Sequence, residues 1–222
     1  MKYFVFSLDD GTIWDKDTVS LFNKYGFKGT FNLNSGLQDF VWYYNDEIPI
    51  YRLNLGENKH LYDGHEIASH TLTHPYLDQC DDQKVVDEVN WDVSTLEFIF
   101  GREISGFATP FETCGDREVY LISNYTKIKN IRLSELDESF SVPSDPYHIK
   151  VTALDIDRAL QLIEKFIADK DAKVFVYAGH SYDFYVNNTF DKLEQLLQIL
   201  HNNLDKIKVV TMSEMVNEVF SR

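Results

Sequence analysis

"YFVFSLDDGT", residues 3–12, runs from a short apolar stretch into two adjacent carboxylates and a glycine. The apolar run reads as the first strand of the chain, and its punctuation raises the question of what the carboxylates are for. Asp tolerates turn geometry and Gly accepts positive φ, so Asp9-Asp10-Gly11 taken alone is a turn. A functional role needs partners elsewhere in the chain.

Further short apolar runs follow at 28–33, 65–69, 104–109, 127–133, 173–179 and 207–212. Between them lie segments with apolar residues at three- and four-residue spacing: 17–26, 83–101, 155–169, 190–203 and 213–222. The first has an acidic start and both of the first two stop at a glycine, Gly26 and Gly101, as capped helices do. Strands alternating with helices predict β-α units on a parallel sheet, as a barrel or a doubly wound sheet, with the site at the C-terminal strand ends. The 222 residues are expected to form one domain, 1–222. Residues 34–64 lack clear periodicity and are rich in aromatics; Trp42, Tyr43 and Tyr44 could stack on a ligand, but aromatic clusters pack more often than they bind.

Lys and Arg number 21 against 36 Asp and Glu, a net charge of −15 that repels phosphate backbones and anionic membrane surfaces. Nucleic acid and membrane partners are therefore not expected. Cys80 and Cys114 form no disulfide framework and no C-x-x-C pair. No signal-like or membrane-length apolar segment is visible, so the chain is expected in the cytoplasm. Oligomeric state is not legible.

The second chemical signal is "ASHTLTHPYL", where His70 and His74 stand four apart just beyond the strand at 65–69. On a helical turn such residues share a face and could reach one metal. The third is "FVYAGHSYDF", which puts His180 just past another strand, and "FATPFE" places Pro110 at the end of a fourth. In a parallel sheet all four sets converge on one rim. A carboxylate and two imidazoles are a common shell for a catalytic zinc, a second carboxylate can act as general base, and a separate histidine can protonate a leaving group. That combination is suited to metal-assisted hydrolysis of an amide or ester.

"SLDDG", "HTLTH" and the later strand-end histidine resemble the metal-dependent polysaccharide deacetylases, the NodB-homology or carbohydrate esterase family 4 group. The resemblance implies a distorted β/α barrel of about seven parallel strands, with zinc or another divalent metal such as cobalt, nickel or manganese. It implies Asp9 as general base, Asp10, His70 and His74 as metal ligands, and His180 as general acid. Thr71 would support the metal shell, and the backbone N–H of Phe111 in "ATPFE" would help hold the oxyanion. Two departures stand out. The family's base-orienting arginine before the proline of that motif is Ala108 here, and Arg132 is expected to reach in for it. The Asp and Trp that tune the acid histidine are not found, and Asp183 is a stand-in or a helix-start carboxylate.

The activity expected is removal of acetyl from an N-acetylated sugar, glycan precursor or small N-acyl compound. The alternatives are hydrolysis of another non-peptide C–N bond, of the cyclic amide or imide type, and a non-catalytic carbohydrate-binding relic. His65 is expected to pack and His60 and His201 to lie on the surface; His148 could line the cleft, although the sequence gives it no partner.

Overall fold

The computed structural model describes residues 1–220; Ser221 and Arg222, the end of the expected terminal helix, lie outside the described residues. Eight strands form one sheet in which every pairing is parallel: β1 (Lys2–Asp9), β2 (Thr30–Leu33), β5 (Glu66–Ser69), β6 (Gly106–Ala108), β7 (Asn130–Leu136), β8 (Ile149–Val151), β9 (Val174–His180) and β10 (Ile207–Val210). Two more strands, β3 (Val41–Tyr44) and β4 (Ile48–Tyr51), make a separate antiparallel hairpin. The helices are α1 (Asp15–Tyr25), α2 (Asp82–Phe100), α3 (Asp116–Tyr125), α4 (Ile156–Ala168), α5 (Ser181–Val186), α6 (Phe190–His201) and α7 (Met212–Phe220).

The sheet runs β10-β1-β2-β5-β6-β7-β8, and β9 lies on the other edge of β1. One edge of β1 serves two partners: Lys2–Val5 pair with β10, and Ser7–Asp9 pair with β2. Beyond β8, a single bridge from Ala153 to Tyr177 brings the sheet back to β9. The result is a β/α barrel distorted at that closure. The seven expected strands are all present; β8, only three residues long, was not legible as a strand.

β1 is buried along both faces, which is why its sequence is nearly continuous in apolar residues rather than alternating. Phe4 and Phe6 point into the main core with Phe22, Phe31 and Phe175, while Tyr3 and Val5 face the smaller cluster under α7. Truncating one such buried Phe to Ala costs about 3–5 kcal/mol. The helix ends follow local chemistry: Gly26 and Gly101 take left-handed φ of 69° and 66°, and Asp81 and Asp155 accept from the amides of Lys84 and Arg158.

Residues 34–64 depart from the featureless excursion expected of them. Because "VWYY" is apolar on both faces, its alternation is invisible in sequence, yet Val41 and Tyr43 are exposed while Trp42 and Tyr44 pack on Tyr182. Helices α3 and α5 were likewise not anticipated. Among the described residues no helix is long and apolar enough to cross a membrane.

Candidate active site

Strand β1 ends by placing Asp9 in the sheet, between Asn32 of β2 and His180 of β9. Asp10 then turns out of the sheet at φ 84° and Gly11 follows at 66°. The turn needs glycine for space as well as φ, since a Cβ on Gly11 would come within 2.9 Å of Leu33 Cδ2. The turn reading of "DDG" holds, and the turn sets where the two carboxylates point.

His70 leaves the end of β5, and the segment that carries His74 is an irregular loop, correcting the helical turn expected. Thr71 and His74 sit at positive φ, 69° and 56°, and this bend rather than helical periodicity brings the two imidazoles together. Thr71 Oγ1 accepts the His74 amide at 3.0 Å. Helix α2 anchors the loop through two buried carboxylates: Asp92 accepts from the Ser35 amide and hydroxyl and from Ser69 Oγ, and Glu88 accepts from the Thr73 amide and hydroxyl.

Asp10, His70 and His74 offer ligand atoms that all lie within 4.8 Å of one another. His74 Nε2 is 3.7 Å and His70 Nε2 4.0 Å from Asp10 Oδ1, and the two Nε2 atoms are 3.2 Å apart. His70 Nδ1 lies 2.9 Å from the Ala108 carbonyl, which can only accept, so Nδ1 carries the proton and Nε2 presents its lone pair. Two ring nitrogens at that separation share either a proton or a cation. Burial pushes both imidazoles below their ordinary values, against the pull of Asp10, keeping them in the neutral form that binds metal. Burial raises Asp10, but Arg52 and then His180 outweigh it and hold the carboxylate ionised. The donor set fits a divalent ion of the zinc class.

Arg132 Nη2 stands 2.5 Å from both oxygens of Asp9, and Asn32 Nδ2 donates to Asp9 Oδ1 at 2.7 Å. In register, Arg132 is the partner of Ala108, so the guanidinium reaches the carboxylate from one strand over. His180 Nε2 is 3.9 Å from Asp10 Oδ2, and its Nδ1 is 2.9 Å from Asp183 Oδ2. Asp183 also accepts the His180 amide at 3.0 Å, so it is helix-start carboxylate and histidine partner at once. Burial disfavours the imidazolium, but the Asp183 hydrogen bond and charge, with Asp10 and Asp9, prevail and raise His180 to about 9. Tyr182 stacks on the imidazole at 4.6 Å.

These groups face a cavity of about 570 Å³ whose apolar walls include Leu37, Phe40, Trp42, Phe111, Leu154 and Tyr182. Phe111 adopts φ 52°, stacks on Tyr76 at 4.1 Å and packs edge-on to His74. Pro110 and Thr71 shape the loops without lining the cavity. A larger surface groove, about 830 Å³ beside Tyr25, Lys28 and Glu214, holds no metal-ligating cluster among the described residues. His65 packs, accepting the Gly29 amide; His60 and His201 are exposed. His148 does have a partner, Asp145 at 2.9 Å, and lines a different cavity.

Arg52, which sequence reasoning missed, donates through Nη2 to Asp10 Oδ1 at 2.8 Å. Its signal was a cation inside the apolar run "IPIYRLNL", since a buried Arg needs a partner.

A family model described as polysaccharide deacetylase matches residues 1–129, more than half of the chain. The chain belongs to the polysaccharide deacetylase family, which supports a hydrolase of amide or ester bonds on acetylated glycans. Among solved structures it is similar to the Xyl-CE4 domain of a multidomain xylanase from the hindgut metagenome of Trinervitermes trinervoides, at 20% identity over 98% of this chain and 90% of that one, TM-score 0.65. It is also similar to a family 4 acetyl xylan esterase from Clostridium thermocellum in complex with a cobalt ion, at 12% identity over 98% and 91%, TM-score 0.66. A CE4 family pseudoenzyme from Bacillus anthracis shares 14% identity over 98% of this chain and 66% of that one, TM-score 0.62. At these identities the likeness is one of fold. No curated protein matches the sequence.

Proposed function

We propose that the chain is a metal-dependent deacetylase that hydrolyses the N-acetyl or O-acetyl group of a sugar or glycan precursor and releases acetate. The observation that carries this reading is that Asp9 and His180 line one cavity with the Asp10, His70 and His74 donor set, each about 4 Å from a member of it. A non-catalytic relic needs neither group, still less a buried arginine on one and an aspartate on the other.

Asp10, His70 and His74 would hold the ion, with zinc the best match to two imidazoles and a carboxylate, and cobalt, nickel or manganese accepted by the same donors. When bound, the ion acts as a Lewis acid toward the acyl oxygen and lowers the pKa of water. Asp9 takes the proton of the attacking water, and Arg132 holds that carboxylate aimed. The Phe111 amide, on a residue bent back at positive φ, supplies an N–H to the acyl oxygen as negative charge develops on it. His180, kept protonated by Asp183, gives its proton to the departing amine or alcohol as the C–N or C–O bond breaks. Water and the acetylated compound thus yield acetate and the free amine or alcohol. The apolar walls around Trp42 and Phe40 suit the acetyl methyl and the apolar face of a sugar ring.

The test is metal content per chain together with acetate release from N-acetylated and O-acetylated sugars. About one zinc-like ion in the wild type, lost in Asp10→Ala, and turnover abolished by chelation or by His70→Ala are expected. Full turnover in strong chelator would overturn the reading.

A further inference from the structure

We propose that Arg52 is a positioning residue of the metal centre, whose guanidinium holds the Asp10 carboxylate against the histidine loop and so sets how tightly the site retains a divalent cation. This rests on the reading of Asp10, His70 and His74 as metal ligands.

Arg52 is only 7% exposed and satisfies three acceptors at once. Nη2 donates to Asp10 Oδ1 at 2.8 Å, and Nη1 donates to the Asp10 carbonyl at 2.8 Å and to Asn34 Oδ1 at 2.5 Å. Oδ1 is the same oxygen that faces both imidazoles. A carboxylate oxygen has two lone pairs, so one can accept from Arg52 while the other points at the imidazoles. Asn34 completes the link: its amide donates to the carbonyls of His70 and Thr71, the latter at 2.8 Å. One planar fork therefore ties the backbone and side chain of one ligand to the loop bearing the other two.

The tie has something to hold. Asp10 and Thr71 both sit at positive φ, 84° and 69°, conformations that a non-glycine residue keeps only where its surroundings over-determine them. The fork is itself fixed, because Arg52 ends the β3–β4 hairpin. Its amide donates to Phe40 O at 2.9 Å, and the chain on either side bonds the turn after Asp10, Ile13 to Tyr51 and Leu53 to Gly11. A lysine, a point charge on a flexible stem, could not serve three acceptors in this geometry.

Charge and geometry predict opposite results, which makes the proposal testable. A positive charge beside the ligand oxygen repels a cation, so Arg52 acting through charge alone would bind metal more tightly once removed. Arg52 acting by position would bind it less tightly, by about 10–100-fold, as for other groups that orient metal ligands. The experiment is calorimetric titration of Co²⁺ into the metal-free full chain, with the visible spectrum of the cobalt-loaded protein and the thermal midpoint of the metal-free form, for wild type, Arg52→Gln and Arg52→Lys. The expected result is a loss of about 10–100-fold for Gln, an altered cobalt spectrum, and a Lys variant between the two. A folded Gln variant that binds cobalt as tightly as wild type, or more tightly, overturns the proposal. If Gln does not fold, Lys decides: weakened binding supports the fork, wild-type affinity overturns it. A wild type that binds no cobalt removes the metal reading and this inference with it, whereas a binding wild type with an unchanged variant removes this inference alone.

Discussion

Replacing Arg132 by Met removes the cation from a pair whose side chains are 3% and 8% exposed, with one guanidinium nitrogen 2.5 Å from both oxygens of Asp9. Breaking a buried pair by removing one partner costs about 3–5 kcal/mol, most of it the penalty of the charge left behind. Asn32 still donates to Asp9 Oδ1, so the lower end of that range is expected. At about 2–4 °C per kcal/mol for a chain of this length, the thermal midpoint should fall by about 6 °C or more at neutral pH. Arg132 also aims the Asp9 carboxylate, so its loss should lower kcat/KM at neutral pH by up to about 100-fold, the cost of a misplaced catalytic group. The assay is acetate release followed across the acid and neutral range, with thermal melts of the same samples. Ala108→Arg in the Arg132→Met background returns a guanidinium to the strand position paired with Arg132 and should recover part of both losses. A folded Arg132→Met protein with the wild-type thermal midpoint and turnover refutes the argument.

Asp183→Asn removes the hydrogen-bonded charge that keeps His180 up at about 9, so the basic limb of the rate profile should drop by at least about one pH unit and turnover above neutrality by about ten-fold; an unmoved basic limb would show that Asp183 only caps α5. His65 tests stability rather than chemistry: burial, with Arg102 and Lys28, pushes it down to about 4, and its Nδ1 already accepts the Gly29 amide. Its folded value lies below its unfolded one, so the stabilisation is fully present above about pH 6.5 and is lost as pH falls toward 4, at up to about 1.4 kcal/mol per pH unit. Denaturant titrations of His65→Phe over that window should show a correspondingly shallower dependence, and parallel curves would contradict it.

Much of the scaffold was legible because a parallel strand buried on both faces leaves a compact apolar signature, as "YFVFSL" and "KVFVYAG" do. β8 escaped because three residues carry no period, and the β3–β4 hairpin because both of its faces are apolar. The convergence of Asp9, Asp10, His70, His74 and His180 was also legible, since each lies at or shortly beyond a strand's C-terminal end and parallel strands end on one rim.

The sequence by itself therefore determined the residue types at the rim and their order, because those depend on short-range patterns of apolar runs, turns and strand ends. Only the tertiary structure brings each cation to its carboxylate. Arg132 and Asp9 are 123 residues apart, and Arg52 and Asp10 are 42 apart. The first pair, expected only through the family resemblance, is made by sheet closure and strand register; the second depends on where a hairpin lands, and its one local mark is a cation inside an apolar run. The same holds for the two imidazoles, whose meeting at 3.2 Å is set by the left-handed bends at Thr71 and His74 rather than by their four-residue spacing.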